Sequence, residues 1–232
     1  MVAVIGDIHG CLYTLQNLVE QIRQKYPSIE IYAVGDFVDR GNFSYEVIEF
    51  IKSEKIKFTA GNHDYMMYYF IKNPTHEFGK PWPYNGYETT LMSYNEHFDK
   101  LSEHLDLIIK NPLYYNLEDC FISHAGISKS MKSQLPNNFQ NDLKTLDDII
   151  SSNLNSESGI LWTRENLLNI GKLQVVGHTI KKEVTLIEKS NAIYIDTGAF
   201  LGNKLCAVIV ENNKLIEVLE ERTHNSDIRN DY

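Results

Sequence analysis

Cysteine is scarce in this chain: Cys11, Cys120 and Cys206 are its three, too few and too scattered for a disulfide framework. A reduced, cytoplasmic compartment is therefore expected. Long apolar runs are missing as well, and no stretch approaches the length of a membrane-spanning helix. The opening residues enter an apolar strand at once, without the basic and apolar regions of a secretory signal. Positive charge is in deficit: 22 Lys and Arg stand against 31 Asp and Glu, for a net charge of −9. With no basic run longer than Lys181-Lys182, a general nucleic-acid binder and charge-driven attachment to a membrane are both disfavoured. Repeats, low-complexity blocks and linkers are also lacking. One domain over residues 1–221 is expected, with a helical and aromatic insertion at about 65–105 and a polar tail, 222–232, that frays.

What is present is a regular alternation of elements. Hydrophobic residues make up 43% of the chain and charged residues 23%, as in a soluble globular protein. Residues 2–5 are a short apolar strand that stops at Gly6-Asp7-Ile8-His9-Gly10. If strand geometry continues through that segment, Asp7 and His9 point to the same side and share one cavity. Residues 11–25 carry Leu12, Leu15, Leu18, Val19 and Ile22 at helical spacing. A second strand, 29–34, closes on Gly35-Asp36-Phe37-Val38-Asp39-Arg40-Gly41, and a helix follows over 45–52. The third strand, 56–60, closes on Gly61-Asn62-His63-Asp64. Strand, helix, strand, helix, strand predicts an α/β fold with right-handed parallel crossovers.

Further along, a helix from Tyr65, an aromatic segment at 78–87 and a helix over 88–105 predict a lid or side wall over the strand ends. Strands at 113–117 and 120–123 lead into His124, a short helix is expected at 143–150, and a strand at 173–176 runs into Gly177-His178-Thr179. Short strands at 184–187, 192–195, 205–210 and 215–219 close the chain, the last two joined by a turn at Asn212-Asn213.

Five predicted strands thus end in metal-ligand residue types: Asp7 and His9, Asp36, Asn62, His124, and His178. The carboxyl ends of neighbouring strands in an open α/β sheet line one crevice, so these residues are expected to converge. Three histidines, two aspartates and an asparagine form a mixed N/O set that suits Mn, Fe or Zn better than Ca or Mg. Six ligands are too many for one open catalytic ion and suit two, sharing a carboxylate. Singly, each residue has a structural alternative. Asp36 and Asp39 are ordinary turn or cap residues, His63-Asp64 is an ordinary first-turn pair, and Arg164 after Trp162 is an ordinary surface arginine. His76, His97, His104 and His224 fall outside the pattern and are expected at the surface or an interface, and Cys11 as a small packing residue. Trp82, Tyr84 and Tyr87 offer a surface for stacking on substrate.

The motifs GDIHG, GDFVDRG, GNHD, SHAG and VVGHT, with LWTRE at 161–165 and YIDTGA at 194–199, occur in an order that resembles the phosphoprotein phosphatase family of the calcineurin-like metallophosphoesterases, in its compact bacterial and phage form. The resemblance implies a metallophosphoesterase-type β-sandwich of mixed sheets flanked by helices (αββα). It implies that Asp7 and His9 bind one divalent metal, that Asp36 bridges, and that Asn62, His124 and His178 complete the second, with Mn favoured and Fe or Zn next. It implies further that Arg40, Arg164 and the Asn62 amide hold phosphate oxygens, and that His63, oriented by Asp39, protonates the departing alcohol after direct attack of a metal-bridging hydroxide. Departures from the family pattern are Asp64 where Glu is more frequent, Asn42-Phe43 after Gly41, and Tyr87 where a second glycine is usual.

A phosphate monoesterase acting on a phosphorylated protein, through serine or threonine first and tyrosine next, or on a small phosphoester, is the expected activity. The rival within the superfamily is a dinucleoside tetraphosphatase cleaving diadenosine tetraphosphate. Many of those resemble this chain in GDxHG and GNHD but lack the acid that Asp39 supplies and differ where Thr179 follows His178, which tilts the expectation towards the monoesterase. The aromatic insertion, able to stack an adenine, tilts it back. A catalytically silent binding module on the same fold is a third possibility, weakened by the completeness of the ligand types.

Overall fold

The computed structural model of the protein describes residues 1–136 and 143–229. Its strands are β1 (Val2–Ile5), β2 (Glu30–Ala33), β3 (Lys57–Phe58), β4 (Tyr114–Asn116), β5 (Phe121–Ser123), β6 (Gln174–Val176), β7 (Thr185–Ile187), β8 (Ala192–Tyr194), β9 (Lys204–Glu211) and β10 (Lys214–Arg222). Its helices are α1 (Leu12–Lys25), α2 (Ser44–Ser53), α3 (Asn62–Lys72), α4 (Tyr87–Ser93), α5 (Phe98–Lys110) and α6 (Leu143–Ser152). The strands form two five-stranded sheets, in the orders β10-β9-β1-β2-β3 and β4-β5-β6-β8-β7. Both are mixed: β1, β2 and β3 run parallel, as do β5, β6 and β8, while β9 and β10 and the outer β4 and β7 are antiparallel to their neighbours.

The alternation along each central strand explains the layering. Val2 and Val4 of β1, Tyr32 of β2, and Val208 and Val210 of β9 meet Ile122, Val175 and Ile193 of the second sheet in a core between the sheets. Their alternates Ala3, Ile5, Ile31, Ala33, Ala207 and Ile209 face the other way, into a core shared with Leu15, Leu18 and Ile22 of α1 and Val47, Ile48 and Ile51 of α2. Strands apolar on both faces belong in the middle of such a stack, which is why the opening segment is apolar at every position. The αββα sandwich expected from the sequence is the observed fold.

The polar stretch after Leu135 includes residues 137–142, which lie outside the described residues, as do 230–232. Past Arg222 the chain forms a single turn of 3₁₀-helix, Asn225–Asp227, where fraying was expected. Asp227 is buried, and its carboxylate accepts the amides of Tyr13 and Thr14 at 3.0 and 2.8 Å together with the Thr14 hydroxyl. It thus serves the first turn of α1, whose own leading residue, Cys11, makes no side-chain cap. His104, expected at the surface or an interface, is fully buried: Nδ1 lies 2.7 Å from the Tyr94 hydroxyl and Nε2 2.7 Å from the Glu49 carboxylate.

Candidate metal centre

All six predicted ligand residues come together, but the geometry that gathers them differs from simple strand extension. The strands stop short, and the residues sit on the loops beyond them or, for Asn62 and His63, in the first turn of α3. His9, Asp36, Asp39, Arg40 and His178 have φ of 45°, 53°, 71°, 73° and 62°. That is left-handed backbone, uncommon for residues with a β-carbon and sustained only where the surroundings enforce it. Asp7 and His9 share a cavity through this turn rather than through a pleat.

Two close approaches make the gathering possible. A β-carbon at Gly177 would sit 1.8 Å from Oδ1 of Asp7, and one at Gly61 would sit 2.0 Å from Oδ1 of Asp36. The glycines beside the ligands are there for room. Each carboxylate is then fixed by amides: Asp7 accepts His178 N–H at 3.0 and 3.2 Å, and Asp36 accepts His63 N–H at 2.9 Å. Asp64, whose shorter side chain departs from the family pattern, accepts the amides of Asp36, Phe37 and Gly61 at 2.8–2.9 Å and so pins the Asp36 loop to α3.

The histidine tautomers follow from their outer contacts. A carbonyl oxygen only accepts, so the ring nitrogen facing it must carry the proton. His9 Nδ1 lies 2.8 Å from Val38 O, His124 Nδ1 lies 2.9 Å from Val34 O, and His178 Nε2 lies 3.2 Å from Trp162 O. The inner nitrogens therefore present lone pairs. His9 Nε2 and His124 Nε2 stand 3.5 and 3.6 Å from the same oxygen of Asp36. His124 Nε2, His178 Nδ1 and Asn62 Oδ1 form a triangle with sides of 2.8, 2.9 and 3.2 Å. Three lone pairs facing one another without a proton among them repel; a divalent cation is the group this donor set suits, and backbone-oriented histidines are how such ligands are held. Two sets of ligand atoms lie within 4.8 Å of one another, Asp7-Asp36-His124 and His9-Asp36-His63, with Asp36 common to both.

Charge points the same way. Asp7, Asp36, Asp39, Asp64 and Asp196 are all buried. Burial, then the Asp196 and Asp36 carboxylates, push Asp7 well up; burial and Asp36 do the same to Asp64. Asp196 is pushed up to about 6, chiefly by burial. Burial would raise Asp36 too, but His124, His63, His9 and His178 outweigh it and hold its carboxyl below the usual range. Burial lowers His9, His124 and His178, the last to about 3. Neutral imidazole is the protonation state that binds cations, and a cation among the crowded carboxyls would offset their repulsion and favour the ionised forms.

His63 Nδ1 lies 2.7 Å from Asp39 Oδ2, as the expected pairing requires. The two arginines stand at the mouth: half-buried Arg40 directs Nη1 to His9 Nε2 at 2.9 Å with its guanidinium 4.4 Å over the Phe200 ring, and exposed Arg164 donates to His178 O at 3.2 Å. Reading the sequence missed Asp196 and Phe200, which had no signal beyond the YIDTGA resemblance. It also offered Trp82, with Tyr84 and Tyr87, as a ring able to stack on substrate. Trp82 is buried, and its indole N–H donates to both Asp39 oxygens at 3.0 Å, while Tyr87 packs on it 5.5 Å away. Tyr84, 88% exposed, is the one of the three whose ring is open.

Comparison with known proteins gives the following. The calcineurin-like phosphoesterase family matches residues 1–196. A bis(5'-nucleosyl)-tetraphosphatase PrpE [asymmetrical] of Bacillus thuringiensis (strain Al Hakam) is 29% identical over 225 residues, 88% of each chain. The protein of that name from Bacillus cereus (strain AH820) is 30% identical over 225 residues, again 88% of each. Among solved structures, the cold-active protein-tyrosine phosphatase of a psychrophilic Shewanella superimposes with a TM-score of 0.62 at 20% identity, over 96% of this chain and 80% of that one. A structure described as a candidate diadenosine tetraphosphatase gives 0.59 at 19%, over 97% and 94%. At such identities the superpositions speak for the fold. The relatives' names overturn the expected protein serine/threonine phosphatase and its phosphoprotein substrate. The expectation leaned on Asp39 and Thr179, and Asp39 proves to act on His63, Trp82 and Thr90 deep in the scaffold, where it says nothing about what a substrate carries beyond its phosphate. Among the described residues no helix is long and apolar enough to cross a membrane.

Proposed function

The chain belongs to the calcineurin-like phosphoesterase family, and from that premise we propose that it is a metal-dependent hydrolase of dinucleoside tetraphosphates that cuts an outer phosphoanhydride linkage, giving a nucleoside monophosphate and a nucleoside triphosphate. The relatives' names support the substrate. One observation carries the metal reading: the His124–His178–Asn62 lone-pair triangle beside an Asp36 oxygen that His9 and His124 both face. Asp7 and His9 would hold one divalent ion, Asn62, His124 and His178 the other, and Asp36 both. The mixed N/O donors favour Mn, with Fe or Zn next. When bound, such a pair supplies Lewis-acid polarisation of the phosphoryl group and acidifies water at neutral pH.

The chain's own residues do the rest. Arg40 and Arg164 are planar cations suited to two phosphate oxygens each, assisted by the Asn62 amide. A His9 nitrogen that binds a cation no longer accepts from Arg40, which releases the guanidinium for substrate. His63, oriented by Asp39, delivers a proton to the departing oxygen as the P–O bond breaks and the oxygen of water stays on the monophosphate. The complete donor set supports an enzyme over a silent binding module. Three free, buried cysteines fit the cytoplasm. The test is product analysis with Mn-loaded protein and diadenosine tetraphosphate: ATP and AMP in equal amounts are expected, and ADP alone, or no turnover, overturns the reading.

A further inference from the structure

We propose that the cavity of about 440 Å³ beyond Arg164 is the seat of the substrate's triphosphate portion, an inference that rests on the function just proposed. In a chain of net charge −9, this cavity is lined by Lys129, Lys132, Lys181, Lys189 and Arg164 against one carboxylate, Glu165. The cations arrive from separate segments: Lys129 and Lys132 from one 3₁₀ turn, Lys189 from another, and Lys181 and Arg164 from loops. Several other lysines are neutralised by neighbours, Lys25 by Glu217, Lys52 by Glu49 and Glu103, Lys57 by Glu30, and Lys204 by Glu183 and Glu220. None of the four cavity lysines makes an ion pair with a described residue. Glu165 is already engaged, accepting the hydroxyls of Ser128 and Ser130. Like charges gathered in a concavity raise the local concentration of anions and repel one another until one arrives.

The cavity adjoins the candidate centre through Arg164 and Thr179. Arg164 lines it and donates to the backbone oxygen of His178, and Thr179, the next residue, lines it too. A phosphate chain whose outer linkage is held at His178 and Arg164 would lead its remaining phosphates to the lysines. The lysines stand on the Arg164 side of the centre, so a substrate with two identical ends would be held in an unequal register. Lys129, Lys132, Lys181 and Lys189 are thereby positioning residues for an outer cut.

The experiment is calorimetric titration of ATP and of AMP into the Mn-loaded protein and its Lys129→Ala/Lys181→Ala/Lys189→Ala variant. Loss of three cations is expected to weaken ATP binding roughly tenfold, with less salt dependence, and to leave AMP binding at the wild-type level. Unchanged ATP affinity overturns the inference. So does an equal loss for AMP, which would mean a general charge effect. If ATP binding depends on the lysines while diadenosine tetraphosphate is not cleaved, the function proposed above fails and the triphosphate site stands. Should the triple variant melt early, Lys189→Glu, on an exposed turn, is read in the same way.

Discussion

Nδ1 of His63 lies 2.7 Å from Oδ2 of Asp39, and that carboxylate is held in turn by the Trp82 indole and, at 2.8 Å, by the Thr90 hydroxyl. The arrangement turns the other ring nitrogen away from Asp39 and makes His63 a candidate proton donor. How much a donor matters depends on the leaving group. A departing triphosphate is already a stable anion, whereas an alkoxide is not. His63→Gln should therefore lower kcat/KM by about 10²–10⁴ on a simple alkyl phosphate, and by clearly less on diadenosine tetraphosphate. Steady-state kinetics on the two substrates checks this, and equal losses would mean His63 does not act as the acid.

Trp82→Phe removes the indole donor and leaves a buried carboxylate short of two hydrogen bonds. An unmet buried acceptor costs about 1–3 kcal/mol, so the urea midpoint should fall with an unchanged slope. The looser Asp39 should lower kcat more than it raises KM. A variant as stable as the wild type would show that Asp39 finds another partner.

Asp36→Asn keeps the size of the side chain but removes the charge common to both candidate ligand sets. Metal analysis after gel filtration should show fewer ions per chain than in the wild type. Retention of the full complement would remove Asp36 from the bridging position.

Burial pushes Cys120 up to about 12 and Cys206 up to about 11, and raises Cys11 well above its ordinary value. A raised thiol pKa means that the reactive thiolate is a minute fraction at neutral pH and grows only as pH climbs towards the raised value. The native protein should leave its thiols unlabelled by a disulfide reagent near neutrality, and all three should titrate at once on unfolding. Rapid labelling of the folded protein would show that these thiols are not shielded.

The apolar alternation of β1, β2 and β9 announces a strand buried on both faces, and the five glycine-bearing motifs announce where strands hand over to the candidate ligand residues. Those features are local, and they were legible. The capping of α1 by Asp227 was not, because the acid and the helix it serves are more than 200 residues apart and nothing in a polar tail marks one carboxylate as buried. The bond from Trp82 to Asp39 was hidden for a related reason: their proximity exists only in the folded chain, and an indole in an aromatic loop looks the same whether it meets a base or a buried acid. The substrate class lay beyond reach because the ligand loops are shared, and the cationic cavity that bears on it is assembled from 3₁₀ turns and loops with no common motif.

The twisted backbone at His9, Asp36, Asp39, Arg40 and His178 sets catalytic fitness against thermal hardiness at the same places. At Arg40, φ is 73°, where a β-carbon costs about 1–2 kcal/mol and glycine costs almost none. Arg40→Gly should accordingly outlast Arg40→Ala in urea by about 1 kcal/mol, though both lose the guanidinium. A lineage selected for heat resistance alone would then drift towards glycine at position 40, where the side chain is only half-buried, and keep Asp39, whose buried hydrogen bonds outweigh the same backbone cost.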